Sequence, residues 1–154
     1  MKKLKSFAVI AAGVMAAAML TGCGGSATVD TDALVQSLLN DVSYTQELTQ
    51  LTEEQVENYI TMEDEVEVVR YMGSGSTAEE FAVFTAKDAD TALTMKANVE
   101  MFLDDQAASF EAYIPEEAKR VEDAVVVQNG NYVVFCVSDD AAKAESVIKE
   151  AFEQ

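Results

Sequence analysis

The chain has 154 residues, 25% of them charged and 49% apolar, with 28 acidic against 10 basic side chains and a formal charge of −18. That length holds one compact domain rather than two, and the apolar fraction is too high for a disordered chain. The absence of His excludes imidazole metal sites and Ser-His or Cys-His nucleophile pairs, and so acidic a surface repels phosphates, which excludes nucleic acid binding.

Lys2, Lys3 and Lys5 form a basic start, and residues 7–20 (FAVIAAGVMAAAML) are apolar throughout. That run is shorter than the roughly 20 residues a spanning helix needs, so it reads as a secretory signal. Leu20-Thr21-Gly22-Cys23 follows directly and resembles the bacterial lipobox. The resemblance implies that a signal peptidase recognises Leu20, Thr21 and Gly22 and cuts before Cys23. It also implies a diacylglyceryl thioether on the Cys23 sulfur, with acyl chains of the palmitate kind. Two chains hold a protein at a membrane where one does so only marginally. The expected organisation is a signal peptide over 1–22, an acylated cysteine and flexible tether over 23–29, and a single domain over 30–154. The tether reaches about 20 Å at most, which places the domain at the extracytoplasmic face of the cell membrane.

Within 30–42, Leu34, Val35, Leu38, Leu39 and Val42 recur at helical spacing, with Asp30 or Thr31 as N-cap. Thr52-Glu53-Glu54-Gln55 has capping-box spacing and opens a short helix through Val56, Tyr59 and Ile60. Residues 66–72 and 80–85 read as strands joined across Gly73-Ser74-Gly75-Ser76. A long helix is expected over 88–113, with Ala92, Val99, Phe102, Leu103, Ala107 and Phe110 as its apolar stripe and Pro115 as its stop. Residues 124–128 and 132–137 form a second pair of strands, with Asn129-Gly130 as a type I′ turn. Ser138 is positioned to cap a last helix that buries Ala141, Ala144, Val147, Ile148 and Ala151. The order α-α-β-β-α-β-β-α predicts an α+β fold. Its core is a four-stranded antiparallel sheet from two hairpins, with helices packed mainly on one face.

This arrangement resembles the domain of unknown function 4358 family, small lipoproteins found mainly in Clostridia-type Gram-positive bacteria. The residues that carry the resemblance are Glu80-Phe81-Ala82-Val83-Phe84, Tyr113-Ile114-Pro115, and the run from Gly130 through Tyr132 and Cys136 to Ser138. The family implies no activity and assigns no functional residue.

Cys136 lies within YVVFCV and reads as a buried small hydrophobe. With Cys23 consumed by the thioether, no internal disulfide is expected. The acidic groups Glu63-Asp64-Glu65, Asp88 with Asp90, Asp104-Asp105, Glu116-Glu117 and Asp139-Asp140 do not match the EF-hand loop, and read as solvated faces and helix starts. The Gly73 to Ser76 run lacks the ending of a phosphate-binding loop. The sequence points to no catalytic residue, cofactor or metal. The expected function is a non-enzymatic binding module of the cell envelope, held to the membrane at Cys23 and partnered by an envelope protein or peptide. A small envelope enzyme that works through carboxylates is the alternative.

Overall fold

A computed structural model describes residues 28–153, so the stretch expected to be a signal peptide, with Leu20, Thr21, Gly22 and Cys23, lies outside the described residues. Helix α1 (Thr31–Asp41) starts where the Asp30 carboxylate accepts from the Ala33 N–H at 3.0 Å, satisfying an amide that has no partner inside the helix. Strand β1 (Thr49–Gln50) and helix α2 (Glu53–Glu57) follow, and Thr52 and Gln55 form the reciprocal capping box the sequence predicts. The chain continues through β2 (Val66–Met72), β3 (Glu80–Ala86), α3 (Ala89–Glu111), α4 (Pro115–Glu122), β4 (Val125–Asn129), β5 (Tyr132–Val137) and α5 (Ala141–Phe152). Among the described residues, no helix is long and apolar enough to cross a membrane.

The strands form one antiparallel sheet in the order β1-β2-β3-β5-β4. The β2–β3 and β4–β5 hairpins meet along β3 and β5, with Glu80 opposite Val137 and Val83 opposite Val134. The α+β class holds, but the sheet has five strands and not four. The additional strand, β1, is two exposed polar residues long, too short to show the alternation by which strands are recognised.

The helices cover both faces, against the expectation of one. Ala82, Phe84, Val133 and Phe135 join Val56 of α2 and Met95, Val99 and Leu103 of α3 in one core. Phe81, Val83, Val134 and Cys136 join Leu34 and Leu38 of α1 and Val147 and Ile148 of α5 in another. The physical reason is strand parity: successive side chains point to opposite faces, and all six positions of β5 are buried. A strand apolar on both faces needs cover on both.

Three local expectations also shift. Pro115 opens α4 as well as closing off α3, since its missing N–H is one that a first helical turn leaves unbonded anyway. Asp140, not Ser138, caps α5 by accepting from the Lys143 N–H at 2.9 Å. Asn129 pairs with Tyr132, so the turn residues are Gly130 and Asn131, and Gly130 alone has positive φ, at 55°. A glycine at the first central position with a normal second residue is the II′ pattern rather than I′.

Candidate functional site

Strand parity also brings an ion pair into the core. Arg70 is in phase with Val66 and Val68, and Glu80 with Ala82 and Phe84, so both face α3; each is only 1% exposed. Glu80 Oε2 accepts from Arg70 Nε at 2.8 Å and lies 2.5 Å from Nη2, while Oε1 accepts from the Gln106 amide of α3 at 2.6 Å. The guanidinium carbon sits 4.9 Å from the Phe102 ring centroid and 5.2 Å from that of Tyr59, which adds cation–π attraction in a desolvated setting. Burial pushes the Glu80 carboxyl above its usual range, and Arg70 and Gln106 pull it part of the way back. Arg70 Nη1 and Gln106 Oε1 are buried without a hydrogen-bond partner.

Two further carboxylates tie the loop before β3 to its neighbours. Glu79 accepts from the Thr45 N–H at 2.7 Å and the Thr45 hydroxyl at 2.6 Å, fixing the segment between α1 and β1. Glu117 of α4 accepts from the Ala78 N–H at 2.7 Å and pairs with Arg120, whose Nη2 lies 2.7 Å from Asp139. Cys136 is buried on β5, as its sequence setting predicts, with the Tyr44 hydroxyl 3.4 Å from its sulfur. Burial pushes the Cys136 thiol up to about 11 and raises the Tyr44 hydroxyl too, so both stay neutral and the thiol is a poor nucleophile.

Of the acidic groups noted in the sequence, Glu117 and Asp139 meet on Arg120, and Asp88, Asp140, Glu65 and Glu63 are engaged separately. Asp88 caps α3 through the Thr91 N–H at 2.7 Å, and this bond holds its carboxyl below the usual range. Asp140 caps α5, Asp139 pairs with Arg120, Glu65 pairs with Lys87 at 2.9 Å, and Glu63 accepts from the Asn98 amide at 3.2 Å. Among the described residues, no group of three acidic or sulfur ligands is placed to hold a metal ion. The Gly73 to Ser76 run leads into β3 as a hairpin loop, tied to the Gln46 side chain through the Ser74 N–H at 3.0 Å.

Among the described residues, β4 is the last strand on this side of the sheet. Since Asn129 and Tyr132 close a two-residue turn as a hydrogen-bonded pair, alternation directs the N–H and C=O groups of Val126 and Gln128 away from β5. Beside this edge lies a groove of about 170 Å³. Leu103, Ala107 and Val126 give it an apolar floor, and Glu100, Asp104 and Glu122 surround it. Glu100 reaches Lys96, whereas Asp104 and Glu122 form no ion pair among the described residues.

A family model described as a domain of unknown function (DUF4358) matches residues 40–138. The chain belongs to this family. The DUF4358 span runs from the end of α1 to the residue after β5, and so contains all five strands, the Arg70–Glu80 pair, Cys136 and the groove beside β4. No curated protein matches the chain, and no solved structure matches it. Arg70 and Glu80 were open to sequence reasoning as opposite charges in phase with apolar strand neighbours. The groove was not, because it forms only where α3, α4 and β4 meet.

Proposed function

We propose that this protein is a lipid-anchored, extracytoplasmic binding module of the cell envelope, attached through Cys23 and acting through contact rather than catalysis. The lipobox-like Leu20-Thr21-Gly22-Cys23 after a basic start and a short apolar run supports the anchor. The domain begins close behind it, since Asp30 already caps α1. The observation that carries the non-catalytic half is how the buried carboxylates are engaged. Glu79, Glu80 and Glu117 bind Thr45, Arg70 with Gln106, and Ala78 with Arg120 respectively. A carboxylate-dependent enzyme would aim such groups into a cleft; here they join one element to another.

Fractionation of cells making the native chain and Cys23→Ser tests the anchor. The native protein is expected in the membrane fraction with the mass of an acylated, N-terminally cut chain, and Cys23→Ser is expected in the medium or uncut. A native protein with a free Cys23 thiol and no lipid would sink this reading. Chemical crosslinking in intact cells tests the contact. A reproducible heavier species is expected, and a protein that stays alone at all crosslinker lengths would contradict it.

A further inference from the structure

The open margin of the sheet combines three features that share one ligand chemistry. Its backbone groups at Val126 and Gln128 point outward, as the edge of a sheet must. The strand itself carries no charge and no proline, being Val125-Val126-Val127-Gln128-Asn129, and its valines are only half-buried. Natural edge strands are usually blunted by charges, prolines or bulges, and this one has none of the first two. The third feature is the groove under Val126, apolar on its floor and bordered by Glu100, Asp104 and Glu122.

We propose that β4 receives an extended segment of a partner protein as a sixth strand, and that a lysine or arginine of that segment lies in the groove. The inference rests on the binding-module reading above and names the surface and the partner. A residue paired opposite Val126 points its side chain to the same face as Val126, toward α3. An aliphatic stem then covers Leu103 and Ala107 while the cation reaches the surrounding carboxylates, which is how amphipathic basic side chains divide themselves. Backbone bonds supply affinity without regard to sequence, and the groove selects the charge. The chain's formal charge of −18 favours the same partner at long range. A second copy fits poorly, since pairing β4 with β4 would bring two sets of these carboxylates to one junction.

The test uses the full acylated chain in detergent and short blocked peptides of alternating threonine and valine with a central lysine or glutamate. Saturable binding of the lysine peptide is expected, weakening with salt, and at least about tenfold tighter than the glutamate peptide. Gln128→Pro removes an outward N–H, together with the Gln128 amide's bond to the Gly130 carbonyl, at a position where edge strands tolerate proline, and is expected to lower binding of the lysine peptide by about tenfold. Asp104→Lys with Glu122→Lys leaves the backbone alone and is expected to reverse the preference between peptides; it decides the matter if Gln128→Pro does not fold. No binding, equal binding of both peptides, or unchanged preference in the charge-reversed variant would overturn the proposal. So would dimers of the bare chain that Gln128→Pro abolishes, which would assign the edge to a second copy. Failure here with Cys23 acylated and a crosslinked partner present in cells removes this inference alone; a free Cys23 removes the anchor and leaves the edge chemistry standing.

Discussion

At one margin of the sheet β1 contributes two exposed residues that side chains tie to the neighbouring strand and loop; at the other, β4 runs for five residues with the N–H and C=O groups of Val126 and Gln128 directed outward. On the closed side the Leu51 N–H bonds the Arg70 carbonyl at 2.9 Å, the Tyr71 hydroxyl reaches Gln50 at 3.1 Å, and Gln46 binds both Ser74 and Thr77. Behind this margin lies the buried Arg70–Glu80–Gln106 cluster. The open side has half-buried valines and, besides Glu100 on Lys96, the carboxylates Asp104 and Glu122, which form no ion pair among the described residues. Polar side chains are committed differently at the two margins. On the β1 side they fasten the molecule to itself, and on the β4 side Asp104 and Glu122 are not so engaged among the described residues.

The largest effect is expected where the closed side is cut. Glu80→Leu leaves a buried guanidinium that cannot give up its proton, and is expected to cost about 3–5 kcal/mol in denaturant unfolding. Arg70→Met should cost less, because the stranded Glu80 can take a proton and become neutral. The double variant Arg70→Met/Glu80→Leu should recover most of the loss, less about 1 kcal/mol for the Gln106 amide. A double variant as unstable as Glu80→Leu would show that the pair is not the fastening described.

A smaller effect belongs to the strand behind the open margin. Cys136 pairs with Val125 across β4–β5, yet is wholly buried. Cys136→Ala should cost about 1 kcal/mol or somewhat more from lost volume, with peptide binding unchanged. Thiol reagents should label Cys136 only as fast as the domain opens. Rapid labelling of the native protein would mean that the margin is open to its interior and not merely along its backbone.

The smallest effect is a drift with pH. The Glu80 carboxyl has a raised proton affinity in the fold, so its contribution is full below the ordinary value of 4.5 and is lost as pH rises through its folded value. Asp88 has the opposite sign: its contribution is present above 3.8 and lost as pH falls through its lowered folded value. Relief of repulsion among the 28 acidic residues acts in the same direction as Glu80. Urea midpoints should therefore rise from pH 7 toward about pH 5 and turn down only at more acid values. Arg70→Met should steepen the rise, because Glu80 then lacks its counter-charge. A midpoint that falls steadily from neutrality would contradict this.

Much of the fold was legible because it rests on local signals. The spans of β2 and β5, the Asp30 cap and the Thr52–Gln55 box follow from side-chain period and capping chemistry alone. What escaped depends on position in the folded sheet. Strand β1 has no pattern of its own and exists because β2 offers it a partner through Thr49 and Met72. The two-sided helical cover was implicit in the apolar run of Tyr132 to Val137, but assigning α1 and α5 to one face needed the order of the strands. Of the groove, Asp104 could be singled out as an acid and Val126 as a strand residue, and nothing in sequence joins them.

Amide hydrogen exchange on the full native chain reads the two margins at once, with and without the lysine-centred peptide. Val126 and Gln128 are expected to exchange fast in the free protein and to become protected when peptide is added, while Thr49 and Gln50 do not change. Protection at β1, protection on helix faces with β4 unchanged, or slow exchange of Val126 and Gln128 in the free chain would contradict it.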